Sequence, residues 1–167
     1  DRGQWVPRWG RDRIYHMMVT RPDGCLSRQR AWGVPIPSFR CVSCGKFHAE
    51  PELIRHVEEI FAAEGSDAWY KREVKDLMPA GYKCDCGGTS FEADTNILDV
   101  WFDAASSHEA VLRRDDLGWP ADLYVEAVDQ HRGWFQVSLI TAVAAERHAP
   151  YRSVLTHGLI LDEDAKK

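Results

Sequence analysis

The sequence predicts an α/β protein with a parallel sheet, interrupted by a small cysteine-bounded unit. Toward its end, a short apolar segment at 123–126, a helical pattern at 133–147 and the start of another strand at 153–156 follow one another. Strand, helix and strand in that order form a βαβ unit, whose two strands run parallel. Two close cysteine pairs, Cys41/Cys44 and Cys84/Cys86, bound a stretch of different character that holds a helix of its own. Doubled cysteine pairs flanking one helix mark a metal-bound unit set into the larger domain.

Taken in order, residues 1–24 mix polar and aromatic side chains without a sustained period, and Pro22-Asp23-Gly24 reads as a closing turn. They are expected to form a connecting arm. Residues 25–37, CLSRQRAWGVPIP, carry positive charge and then Gly33, Pro35 and Pro37, which break a helix and favour extended chain. Next comes a helix with Pro51 in its first turn and a stop near Gly65. Its Leu53, Ile54, Val57, Ile60 and Phe61 fall on one apolar stripe. A second helix is expected over 67–77, with Trp69 packing inward. In the helix at 133–147, Phe135, Leu139, Ala142 and Val143 supply the buried stripe, while Glu146 and Arg147 mark the solvated end.

A composition of 44% hydrophobic and 28% charged residues is that of a soluble globular protein of one to two domains. No apolar run nears the roughly 20 residues a bilayer requires, and DRGQWVPRWGRDR lacks the apolar stretch of a signal peptide. A cytoplasmic protein with no membrane partner is expected. The net charge of -5 argues against a chain coated in positive charge for non-specific nucleic-acid binding. Even so, Arg8, Arg11, Arg13, Arg21, Arg28 and Arg30 crowd the first thirty residues, as a solvated surface or as one side of a basic groove.

Cys41-Val42-Ser43-Cys44-Gly45 allows two thiolates of a tight turn to point at one ion, with glycine relieving crowding after the second. Cys84-Asp85-Cys86-Gly87-Gly88 supplies the other half, with residues 45–83 between. Four thiolates in tetrahedral array favour zinc, and a closed four-ligand site is structural, since no position stays open for a reacting water. The C-x-C pair is one residue tighter than usual. The alternative is that only some of the cysteines bind, with His48 substituting or the site empty and the unit relying on its helix alone. Cys25 stands apart and is expected as a small core residue.

Where the strand at 123–126 ends, Glu126, Asp129 and Gln130 gather just ahead of a helix. Open α/β sheets bind ligands at the carboxyl ends of their strands, beside helix N-termini. Carboxylate and amide oxygens there accept protons from ribose hydroxyls, or else cap the helix. Upstream, Leu98-Asp99-Val100-Trp101-Phe102-Asp103 sets an aromatic among carboxylates, suited to walling a small apolar pocket, although seven tryptophans in one chain usually mean packing.

Four stretches, SRQRAWGVPIP (27–37), LDVWFDAASSH (98–108), DQHRGWFQ (129–136) and PYRSVLTHGLILDEDAKK (150–167), resemble consecutive landmarks of the class I isoleucyl-tRNA synthetases. The first is shared in part with the valine and leucine enzymes; the second and third are more characteristic of the isoleucine enzyme. The resemblance implies the second half of a Rossmann-type catalytic domain with a small cysteine-rich zinc-binding insertion. Residues 1–24 become the arm at the end of the connective insertion and 25–37 the return into the catalytic domain. Residues 38–95 become the zinc-binding helical insertion, and 96–167 the second half of the catalytic domain.

The implied reaction joins isoleucine to ATP as an aminoacyl adenylate and passes it to tRNA(Ile), with magnesium accompanying ATP, in a monomeric enzyme. Residue by residue, Glu126, Asp129 and Gln130 match positions around the adenylate ribose, and His157 and Gly158 the segment lining adenine. Trp101 and Trp134 match walls of the isoleucine pocket. Lys167 stands where the KMSKS loop begins and would stabilise charge on departing pyrophosphate. Two departures stand out: Ala127-Val128 where the family usually has Gly-Ser, and Ala104-Ala105 where Ser-Gly is common. The HIGH motif, the threonine-rich editing site and the rest of KMSKS are not in the chain, so it is expected to be an inactive internal piece. A free-standing zinc module that binds RNA or protein is the alternative from another class.

Overall fold

The computed structural model of the chain describes residues 3–21 and 23–166. Its elements run β1 (Gln4–Val6), α1 (Trp9–Thr20), β2 (Ser27–Arg28), β3 (Phe39–Cys41), β4 (Phe47–His48), α2 (Pro51–Glu64), α3 (Ala68–Lys71) and α4 (Val74–Leu77). They continue with β5 (Phe91–Ala93), β6 (Ile97–Leu98), α5 (Val100–Ala105), α6 (Ser107–Ala110), β7 (Ala121–Ala127), a 3-10 turn (Val128–His131), α7 (Trp134–Glu146) and β8 (Tyr151–His157). Two compact units result: residues 1–25 with 99–167, and Leu26–Leu98.

The first unit holds a three-stranded sheet in the order β1-β8-β7. Both pairings are parallel, with Trp5 opposite Val154 and Ala127 opposite His157. The β7-α7-β8 order is thus the expected βαβ unit. Its core gathers Trp5, Ile14, Tyr124, Phe135, Tyr151 and Val154. Phe135 and Ala142 of the expected α7 stripe are buried and Leu139 half-buried, whereas Val143 is 47% exposed. Tyr124 stacks flat on Trp134 at 4.1 Å, tying the middle of β7 to the start of α7.

Residues 4–20 are more ordered than their lack of period suggested. Residues 4–6 join the sheet, and α1 follows with only Gly10 and Ile14 buried, so no apolar stripe betrays it. Gln136, fully enclosed, anchors that helix's end: its amide donates to the Met17 carbonyl, and its oxygen accepts from Arg21. Pro22 of the expected turn lies outside the described residues. Cys25 is exposed, not core. It sits between the last turn of α1 and the start of the second unit, with no packed element of its own to bury it.

In the second unit, the antiparallel sheet β4-β3-β5 and helix α2 enclose a separate core of Phe39, Leu53, Val57, Ile60, Ala68, Trp69, Leu77 and Met78. Helix α2 opens with Pro51 at its first position and closes where the Gly65 amide donates to the Phe61 carbonyl. Ile54 lies at the edge of its stripe, 41% exposed. Trp69 packs on Phe39 and donates its indole N–H to the Asp94 carbonyl at 3.0 Å. The helix expected over 67–77 is two single turns, because Arg72 and Glu73 adopt extended backbone between them. Arg72 there clasps Glu64 and the Asp76 carbonyl instead of continuing the helix.

Phe135 has no exposed surface. Replacing it by alanine should cost about 3–5 kcal/mol of stability. Chemical denaturation of the chain measures this, and a loss under about 1 kcal/mol would show that the site collapses around the cavity.

Candidate functional site

The two knuckles of the second unit converge. Cys41 Sγ lies 3.7 Å from Cys86 Sγ and Cys44 Sγ 3.6 Å from Cys84 Sγ. All four sulfurs fall within 4.8 Å of one another. Zinc–thiolate bonds of about 2.3 Å set the edges of a sulfur tetrahedron at about 3.8 Å. The donor set and its spacing therefore fit zinc.

Each knuckle turns through a glycine in the left-handed region, Gly45 at φ 76° and Gly87 at φ 84°. Their amides donate at 2.8 Å to the Cys41 and Cys84 carbonyls, so the C-x-C pair curls as tightly as the C-x-x-C pair. A side chain at Gly88 would stand 3.0 Å from Cys41 Sγ. Lys46 of one knuckle pairs with Asp85 of the other, at the surface where such a pair adds little.

The thiols conflict electrostatically. Burial pushes Cys41 up, but the Cys44 and Ser43 amides and its thiol neighbours outweigh it and bring the pKa down to about 6. At Cys86 the Gly88 amide pulls down, yet contact with the Cys84 and Cys44 thiols and burial push it to about 12. One sulfur readily gives up its proton while another is forced to keep one. A divalent cation would remove that conflict.

His48 stands outside the cluster of four sulfurs. It is buried behind the cluster, its Nε2 3.3 Å from Cys84 Sγ. Its Nδ1 meets the Tyr82 hydroxyl at 2.9 Å and Glu50 Oε1 at 3.0 Å, and the ring packs edge-on to Tyr82 and Phe91. Burial disfavours its charged form, but Cys84 and Glu50 overcome this and its pKa is raised. The sequence offered His48 only as a substitute ligand; Glu50 and Tyr82 carried no signal.

In the first unit, parallel register brings the ends of β7 and β8 side by side, with Glu126 opposite Thr156 and Ala127 opposite His157. Glu126, Asp129 and Gln130 on one chain segment and His157 and Gly158 on the other thus share one carboxyl edge. Glu126, Asp129, His157 and Gly158 are exposed. His157 Nδ1 is 2.6 Å from the Gly158 carbonyl. Gln130 Oε1 accepts the Trp134 amide at 3.2 Å, so this side chain caps α7 and leaves its amide N–H groups as donors. Ala127 sits at φ -73°, ψ 165°, a backbone that needs no glycine.

Asp99 caps α5 by accepting the Trp101 amide at 2.9 Å, which sets the Trp101 ring against Gly133. Trp101 is 40% exposed. Trp134 is half-buried, its indole N–H shared between the Ala104 carbonyl at 3.0 Å and Ser107 Oγ at 3.3 Å. Ala105 has no exposed surface. Burial and the charge of Asp99 raise the pKa of Asp103. Lys167 lies outside the described residues. Reading the residues alone assigned no role to His131, whose ring is wholly enclosed; its Nδ1 contacts the Val128 carbonyl, and burial lowers its pKa.

A parallel α/β sheet with polar side chains at one carboxyl edge, and a separate unit whose four cysteines could hold a metal ion, define an α/β protein with a candidate metal module. The chain belongs to the class I tRNA synthetases, whose family model, described as covering the I, L, M and V enzymes, matches residues 1–167. It is 56% identical over 168 residues to an isoleucine-tRNA ligase of Desulfitobacterium hafniense (strain DSM 10664 / DCB-2), covering all of this chain and 18% of that protein. It is 57% identical over 166 residues to one of Caldicellulosiruptor bescii, covering 98% and 18%. The chain therefore spans about a fifth of the length of the curated relatives it matches. Among solved structures, a ternary complex of Agrobacterium radiobacter K84 agnB2 LeuRS with tRNA and LeuAMS aligns with TM-score 0.55 and 20% identity, covering 92% of this chain and 23% of that one. That likeness shows the α/β fold alone.

A methyl group at Gly133 would stand 2.5 Å from Gln130 Oε1 and 3.1 Å from the Trp101 ring. Gly133→Ala should destabilise the chain by about 1–3 kcal/mol through this overpacking. An unchanged denaturation midpoint would mean that neither group is held where the structure has it.

Proposed function

We propose that the chain is part of an isoleucine-tRNA ligase that activates isoleucine with ATP and transfers it to tRNA(Ile). The observation that carries this reading is the shared carboxyl edge of β7 and β8 in a class I synthetase chain, with relatives of that name more than half identical along its length. On this reading residues 38–95 are the zinc-bearing insertion and 96–167 the second half of a Rossmann-type catalytic domain, entered through 25–37 from the arm 1–24.

The side chains divide the work by chemistry. Glu126 and Asp129 accept protons from the ribose hydroxyls, and Gln130 donates through the amide that its capping oxygen leaves over. His157 and Gly158 line the adenine end. Trp101 walls the isoleucine side chain, while Trp134, clamped on Tyr124, holds that wall in place. A wall of this kind separates isoleucine from valine by only about 1–3 kcal/mol, one methylene's worth. Zinc at Cys41, Cys44, Cys84 and Cys86 is structural; magnesium arrives with ATP, and Lys167 stabilises pyrophosphate. The enzyme is a cytoplasmic monomer. Support for the nucleotide role is positional: the carboxylates follow directly on a parallel strand end, where such ligands bind.

Amino-acid-dependent ATP–pyrophosphate exchange on the full-length protein tests the assignment. Isoleucine should support exchange, and exchange with valine but not isoleucine would overturn it. In the same assay Glu126→Ala should lose about 1.5–3 kcal/mol of transition-state stabilisation, roughly 10- to 150-fold in kcat/KM for ATP. Parental kcat/KM would remove Glu126 from the ribose site.

A further inference from the structure

The four cysteines are not equivalent. Cys41 and Cys84 are buried and Cys44 and Cys86 exposed, and among the described residues Cys84 meets an imidazole, the His48 ring 3.3 Å away. A metal-bound thiolate carries no proton, so a ring nitrogen at that distance attracts it only by donating N–H. The far side of the ring is equipped to hold that orientation. Nδ1 faces acceptors as well, donating its N–H to Glu50 Oε1 at 3.0 Å while the Tyr82 hydroxyl beside it gives its proton to Glu50 Oε2 at 3.1 Å, so the ring donates from both nitrogens, and the edges of Tyr82 and Phe91 fix its plane. His48 is 2% exposed, so water does not replace its hydrogen bond.

We propose that His48 is a positioning residue for the metal: its Nε2–H donates to the Cys84 thiolate, orients that ligand and draws charge from its sulfur, with Tyr82 and Glu50 locking the ring. This rests on the zinc reading of the cluster. Four thiolates place two more negative charges on the site than zinc neutralises. A donor aimed at one buried sulfur lowers that cost where no water can. Outer-shell partners of this kind typically contribute roughly 10- to 100-fold to metal affinity.

The test uses the full 167-residue chain, loaded with zinc or cobalt, as parent, His48→Leu, His48→Gln and Tyr82→Phe. Zinc affinity is measured by competition with a chromophoric chelator, and the sulfur-to-cobalt charge-transfer band by absorption. His48→Leu should lose roughly 10- to 100-fold in affinity. It should also move the band to longer wavelength, because a sulfur without its donor is easier to oxidise. His48→Gln, which can still donate N–H, should recover most of both. Tyr82→Phe keeps the ring and should weaken binding several-fold. Equal affinities and bands in parent and His48→Leu, or His48→Gln as impaired as His48→Leu, would overturn the inference. If His48→Leu does not fold, Tyr82→Phe at parental affinity would overturn it. A parent that takes up no stoichiometric metal would instead refute the zinc reading itself.

Discussion

Four sulfurs held within 4.8 Å of one another are the constraint around which the second unit is arranged. The pKa pattern states the difficulty in chemical terms: one cysteine is drawn down to about 6 while its neighbour is driven up to about 12. Much else in the unit follows from bringing these knuckles together. β3 ends on the first cysteine of the cluster, Cys41, and pairs with β5 beyond the second knuckle. Helix α2 and the turns α3 and α4 then fill the chain between the knuckles and cover the sheet. A structural zinc ion at such a site is worth on the order of 10–16 kcal/mol in small peptides, comparable to the whole net stability of a domain. The proposed metal is therefore a folding element of this unit as much as a ligand.

The first unit obeys a different constraint, parallel pairing. Because β7 and β8 are in register to their last residues, the two loops that leave them emerge together, and polar residues far apart in sequence share one edge. The aromatic residues behind this edge have structural duties. Trp134 is stacked on Tyr124 and hydrogen-bonded to α5, which holds its ring in place. Gln130 likewise serves the helix with its oxygen and leaves only its N–H groups for a ligand. On the proposed reading, binding and stability draw on the same side chains. The replacement of glycine by Ala127 is compatible with the backbone there, since an extended residue accommodates a Cβ.

Elements whose signals are local were legible in the sequence. Pro51, the apolar stripe and Gly65 delimit α2 to within a residue, and the cysteine spacing identifies all four members of the cluster. The βαβ unit was legible because each strand and the helix carry their own apolar patterns. What escaped depends on partners distant in sequence. β1 is only three residues long and becomes a strand by pairing with β8, about 150 residues away. Helix α1 buries so little that its pattern is nearly uniform. Cys25 and Val143 are apolar residues that geometry leaves at the surface. His48 stood out only as an alternative ligand, because its role depends on Tyr82 and Glu50, which the fold brings to its other face.

The coordination of the cluster is the most direct measure of the metal account. Zinc K-edge X-ray absorption on the zinc-loaded chain should report four sulfur neighbours at about 2.3 Å and no nitrogen. Three sulfurs with one nitrogen at about 2.0–2.1 Å would mean that His48 enters the coordination shell in place of a cysteine, and would contradict the structure described for this site.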